Sequence, residues 1–226
     1  MGEGVMGYLD FLSGNVDRLY WGTLTTLAQF VLASGVAIVL AFAAGLMLLA
    51  QGKIVRGLAT AYVELFRGTS LLVQLFWIFF ALPIFGLTLD KFVAGFVAVG
   101  LNLGAYGAHL VKGAILAVPR GQWEAAIVIN MSPLRRMIRI ILPQAIVVML
   151  PAWGNLLIEL LKATALVALI SVTDLMFEVR QINNQTFQSA QAFGTALIVY
   201  YLIARLVVTP AMRFLEHRMA QRMGNS

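Results

Sequence analysis

The sequence has no cysteine, which excludes a disulfide framework and thiolate metal sites. Charge is scarce: 12% of the 226 residues are Asp, Glu, Lys or Arg, about half the ~25% that a soluble domain carries. Two motifs are missing. Without a G-x-x-x-x-G-K-[ST] loop there is no phosphate cradle for ATP hydrolysis by that route, and without H-E-x-x-H there is no zincin-type protease. His109 and His217 fall on different elements, so no Ser–His arrangement for an intramembrane protease is expected. The stretch from Met1 to Tyr20 lacks an apolar run and holds Glu3, Asp10 and Asp17; the first apolar run that follows is too long for a signal core, so no cleavable signal is expected.

What is present is apolar. Hydrophobic residues make up 61% of the chain and mean hydropathy is +0.88. Five runs approach the ~20 residues needed to cross a hydrocarbon core: residues 24–50, 62–82, 92–117, 144–170 and 194–212. They are continuous, with no period-2 alternation, so helices rather than barrel strands are expected. The whole chain, 1–226, reads as a single all-α integral membrane domain of about five transmembrane helices. The tail from Thr209 is expected to continue the last helix.

The net charge of +6 does not point to nucleic acid, because the basic residues cluster at the ends of apolar runs. They serve better as topology signals. With the amino terminus outside, the inner side receives Lys53, Arg56, Arg67, Lys112, Arg120, Arg135, Arg136, Arg139, Arg213, Arg218 and Arg222. The outer side receives only Arg18, Lys91 and Arg180. Amino terminus outside and carboxyl terminus inside is the expected arrangement.

Residues 118–143 form a loop on the inner side, VPRGQWEAAIVINMSPLRRMIRIILP. Pro119 and Gly121 break the preceding span, and a short helix is expected over residues 122–129. Asn130 stands where that helix must stop, and Asn is the non-glycine residue best suited to a left-handed terminal position. Ser132 and Pro133 suit the start of a second helix, and Pro143 the start of the next span.

This loop resembles the EAA loop of ABC importer permeases, with Glu124-Ala125-Ala126, Asn130 in place of the usual glycine, and Ile141-Leu142-Pro143. Residues 62–83, YVELFRGTSLLVQLFWIFFALP, are similar to the signature of polar amino acid permeases, with Ser70 replacing the usual proline. Asn102, Ala105-Tyr106-Gly107-Ala108, Gly154-Asn155, Leu161-Lys162 and Thr164 match further on, in order and spacing. The resemblance implies a type I importer permease fold and a bacterial inner membrane location. It implies two cytoplasmic ABC ATPase subunits, a second permease (itself or a sister subunit) and an external substrate-binding protein as partners. It assigns ATPase coupling to Glu124, Ala125, Ala126, Asn130 and Pro143. No cofactor is expected on this chain, since ATP and Mg belong to the ATPases. The expected substrate is a polar amino acid or related small zwitterion; an ectoine-like compatible solute or an opine is the alternative, and a channel or passive assembly subunit the reading of another class.

Ionisable groups at membrane depth are functional candidates by default. Glu159 and Lys162 fall within a run that also holds Asn155 and Thr164. The related family usually keeps an acid after the lysine, where this chain has Ala163, one helical turn from Glu159. Glu159 as a substrate contact and a purely structural Glu159–Lys162 ion pair remain two readings. His109 likewise stands as a pathway or a packing residue, beside Asn102 and Tyr106. Glu64 and Arg67, three apart and near the inner boundary, are read as structural, pairing with each other or anchoring the span. Gly100, Gly104 and Gly107 are expected to admit a close helix neighbour.

Overall fold

The structure is a computed structural model that describes residues 2–224, with side chains from 7 to 221; the readings placed on Met1, Glu3 and Arg222 lie outside the described side chains. Eight helical elements follow one another: α1 Gly2–Met47, α2 Lys53–Gly68, α3 Leu71–Phe85, α4 Lys91–Ala117, α5 Arg120–Val128, α6 Pro133–Ile170, α7 Leu175–Thr186 and α8 Ser189–Gln221. Four of these, α1, α4, α6 and α8, are each long and apolar enough to cross a membrane. α2 and α3 pass the same test only together, as a pair bent by 106°, so the crossings number four, or five where that pair counts as one span.

α1 starts far earlier than the expected 24. At 46 residues it is about 70 Å long, so one continuous helix includes Asp10 and Asp17 and overshoots any hydrocarbon core. α4 packs along α1 through glycines. A Cβ at Gly100 would lie 2.6 Å from Val36 Cβ, and one at Gly107 2.7 Å from Ala41 Cβ. Small residues thus bring the two backbones close, which is how helices associate where lipid removes the hydrophobic drive.

The expected span 62–82 is not one straight helix. Gly68 ends α2, and Thr69 and Ser70 are both extended (ψ 156° and 133°) before α3 begins. The break frees carbonyls that lipid cannot satisfy, where each unpaired group costs several kcal/mol. Two buried amides answer it. Gln74 Nε2 donates to Phe66 O (2.9 Å) and Thr69 Oγ1 (2.6 Å). Asn102 Nδ2 donates to Phe66 O (2.8 Å) and Gln74 Oε1 (2.9 Å).

Three helices widen by one residue just before a proline. Leu82 N–H donates to Trp77 O, Leu142 N–H to Met137 O and Thr209 N–H to Ala204 O, each an i→i−5 bond directly ahead of Pro83, Pro143 and Pro210. Proline lacks an N–H and its ring collides with the i−4 carbonyl; a wide turn moves that carbonyl aside and lets the helix continue. Pro143 therefore does not open a span, as expected from sequence, but lies within α6, which runs unbroken from Pro133. The tail does continue the last helix, through Pro210.

At the end of the bundle opposite α5, the amphipathic helix α7 lies where a connection had been expected. Leu175, Val179 and Ile182 pack on Phe11 and Leu19 of α1 and Ala192 and Ala196 of α8. Arg18 pairs with Glu178 at 2.8 Å. Asp174 caps α7, its Oδ1 accepting from Phe177 N–H (2.9 Å), while Leu175 N–H donates to Thr26 Oγ1 (3.1 Å). Asp174 is fully buried. Burial pushes its carboxyl up to about 7, against the backbone N–H groups of Phe177 and Met176 and the Tyr200 hydroxyl, which pull it down.

Two measurements follow from this packing. Asn102→Leu strands Gln74 Oε1 and leaves Phe66 O with one donor, and is expected to cost about 1–3 kcal/mol, read as a lower thermal midpoint of the solubilised protein; an unchanged midpoint would show that the break holds without the amide pair. Asp174 holds its proton more tightly folded than unfolded (about 7 against 3.8). The stability it contributes is fully present below about 4 and lost as pH rises through about 7. Amide-exchange protection over 175–186 should therefore be higher at pH 5.5 than at 8.5. Asp174→Asn keeps the cap acceptor and should flatten that difference.

Candidate functional site

Two regions gather the chemistry-bearing residues, one at each level of the bundle. The first is the loop between α4 and α6. α5 ends in a left-handed residue, Asn130 at φ 55°. Asn130 N–H donates to Ile127 O (2.8 Å) and Met131 N–H to Ala126 O (3.0 Å), the paired bonds of a Schellman stop. The glycine substitute therefore does glycine's backbone work. Pro133 starts α6 as expected, although Ser132 makes no side-chain cap bond.

α5 is held to the bundle by one side. Ala126 is fully buried, and Trp123 packs on the core formed by Val111, Ile115, Ile141 and Ala145, with the Arg136 guanidinium 5.7 Å over its ring. Glu124 and Ala125 are exposed, as are Ile127 (58%), Val128 (84%) and Ile129 (68%). The two alanines thus do different jobs, since neighbours on a helix point ~100° apart: Ala126 lets α5 sit close to its own bundle, and only Ala125 joins Glu124 on the free face. The apolar exposure of 127–129 was legible as an unbroken Ile-Val-Ile in a loop, but no role had been attached to it.

The second region is a recess of about 440 Å³ halfway along the helices. α4 lines it with Tyr106 and His109, α6 with Asn155 and Glu159, and the end of α2 with Arg67. Tyr106 is the sixteenth of the 27 residues of α4, which sets the recess near mid-depth. Four of the seven pathway candidates therefore meet. Lys162 reaches the recess only through Glu159, to whose Oε1 it donates at 2.6 Å, and both side chains are exposed; Lys162 itself lines a neighbouring recess with Tyr200 and Arg205. Asn102 lies in the amide pair at the break, and Thr164 is buried with its hydroxyl on Leu161 O (2.7 Å).

Arg67 is the residue that the sequence had placed elsewhere. It is not paired with Glu64: among the described residues the ion pairs are Arg18–Glu178 and Glu159–Lys162. Its guanidinium lies 5.0 Å over the ring of Tyr106. A cation three residues from an acid on one helix had suggested a local pair; the signal for the actual arrangement was the Gly68-Thr69-Ser70 stretch, which ends the helix just after Arg67.

A bundle of membrane-crossing helices, with a short helix held out on the loop between two of them and a polar recess at mid-depth, defines a membrane transport subunit. The chain belongs to the family of inner membrane components of binding-protein-dependent transport systems, which it matches over residues 33–221. It is 44% identical to a probable amino-acid ABC transporter permease protein of Sinorhizobium fredii, over 99% of this chain and 94% of that one. It is 34% identical to the L-cystine transport system permease protein of Bacillus subtilis, over 85% of each. The fold superposes on a chain from the crystal structure of an amino acid ABC transporter with histidines, with a TM-score of 0.84, 31% identity and 93% and 98% of the two chains covered. The protein is a multi-pass bacterial inner membrane protein, and membership implies ATPase subunits and a substrate-binding protein as partners.

The stop at Asn130 gives a direct test. Asn130→Gly should be tolerated, since glycine enters the left-handed region without penalty. Asn130→Val should cost about 1–2 kcal/mol locally and loosen α5, read as faster proteolysis of the loop in membrane vesicles. Equal proteolysis of the two variants would deny the left-handed stop any part in holding α5.

Proposed function

We propose that this chain is the translocation subunit of an ATP-driven importer for a polar amino acid, working with a second permease, itself or a sister subunit. Two cytoplasmic ATPase subunits dock on loop 118–143, through Glu124, Ala125 and the apolar face of α5, while Ala126, Asn130 and Pro143 keep the loop in shape. ATP and Mg are used by those subunits. An external binding protein delivers substrate to the α7 end, and the amino terminus lies outside with the carboxyl terminus inside, as the distribution of Lys and Arg supports.

The observation that carries this reading is the construction of α5. A nine-residue helix fastened on one side by Ala126 and Trp123 leaves Ile127, Val128 and Ile129 uncovered. Apolar side chains outside the membrane-crossing runs that no part of the chain covers suit a protein groove, and Glu124 beside them offers a carboxylate to a basic partner. The names of the relatives support amino acid transport. The recess supports it physically, because a zwitterion leaving water needs counter-charges and Glu159, Asn155, Tyr106 and His109 line one cavity.

Glu124→Lys reverses the charge on the docking face. In proteoliposomes with the ATPases and binding protein, it is expected to abolish ATP-driven uptake while the chain remains inserted in the membrane. Normal uptake by this variant would overturn the docking role of the loop.

A further inference from the structure

We infer that Arg67 is the carboxylate-binding residue of the mid-depth recess, and that together with Glu159 it selects α-amino acid zwitterions over amines and amides; this rests on the transport reading above. Arg67 is an exposed guanidinium on the wall of the recess, with no carboxylate within ion-pair distance among the described residues. Tyr106's ring, at 5.0 Å, supplies only part of a partner.

The placement suits recognition. Arg67 lies 5.0 Å over the Tyr106 ring and is exposed, and the edge of a guanidinium matches a carboxylate with two parallel hydrogen bonds. The opposite charge comes from another wall: α2 supplies Arg67, α6 supplies Glu159, and no ion pair joins the two. Lys162 donates to Oε1 of Glu159 at 2.6 Å. Cation from one wall and anion from another, in about 440 Å³, is the charge pattern of a zwitterion's own two ends. His109 and Asn155, which line the same space, are left for the side chain of the ligand.

A rival explanation is that Arg67, in the last turn of α2, merely complements the negative end of that helix. Lysine serves that purpose equally well and cannot form the fork, so Arg67→Lys separates the two. The transporter assembled with its ATPases in lipid nanodiscs, without binding protein, is titrated with L-histidine, L-cystine and L-glutamine and with L-histidinamide and L-glutaminamide. Wild type is expected to bind at least one amino acid about tenfold or more tighter than its amide. Arg67→Lys and Arg67→Gln should erase that gap by weakening the amino acid and not the amide, with the complex eluting at its normal size. A gap that survives both substitutions overturns the assignment of Arg67 and leaves the transport reading standing. Loss of the assembled complex in both variants would make Arg67 a subunit contact and also overturn it. Failure of wild type to bind any of the amino acids would sink both readings.

Discussion

The arrangement depends on one rule, that a backbone carbonyl inside a bilayer must find a donor within the protein. The chain breaks a membrane-crossing run at Gly68-Thr69-Ser70, and the cost of that break falls on Phe66 O, which receives hydrogen bonds from both Gln74 and Asn102. The pair is linked, since Asn102 Nδ2 also donates to Gln74 Oε1, so loss of Asn102 leaves that oxygen without its donor. Because Asn102 belongs to α4 and Gln74 to α3, the same bonds fasten both sides of the break to the most buried helix. Tyr62 adds a third tie, its hydroxyl donating to Leu101 O at 2.7 Å. Arg67 lies between these ties, and its position over Tyr106 follows from them.

Proline is handled by a different solution to the same rule. Pro83, Pro143 and Pro210 each follow a wide turn, so that α6 and α8 pass through them without interruption. In Thr209 the side chain helps, its hydroxyl donating to the Ala204 carbonyl at 2.8 Å. Pro151 has no such turn ahead of it, and lies where α6 comes level with the recess. Helices that bend do so at prolines or wide turns, and α6 holds one of each along its length.

Hydropathy made the membrane class and the number of crossings legible, because run length and lack of charge are properties of composition alone. Direction is not. The run 62–82 reads as a single span since Gly-Thr-Ser is short, uncharged and lacks the proline that would have marked the stop, and hydropathy cannot register a turn of 106°. α7 carried a readable start, Asp174 with Glu178 in the first turn, yet its polar stretch outweighed the cap. The stop at Asn130 was legible because few residues tolerate φ near 55° and Asn is one of them. In the recess, Tyr106, His109, Asn155 and Glu159 were named from two separate helices without any means of knowing that they meet. Asn102 had been grouped with them because buried amides are equally at home beside a ligand and beside a broken helix. Arg67 was read as a partner of Glu64 or an anchor of its span because sequence spacing sees only the helix a residue belongs to.

The two functional regions are far apart in the bundle but share an element. α6 begins at Pro133, immediately after the α5 stop, and carries Asn155 and Glu159 at mid-length. Its first turns pack on α5 through the Arg136–Trp123 contact and the Ile141 core. α6 therefore joins the α5 stop to the recess as one helix, with the wide turn at Met137–Ile141 and Pro151 between them. The tyrosine and arginine on the facing wall are anchored differently, by α4 and by the amide pair at the break. Movement of α6 relative to those anchors changes the separation between Glu159 and Arg67, so the two opposite charges that line the recess are attached to different parts of the structure.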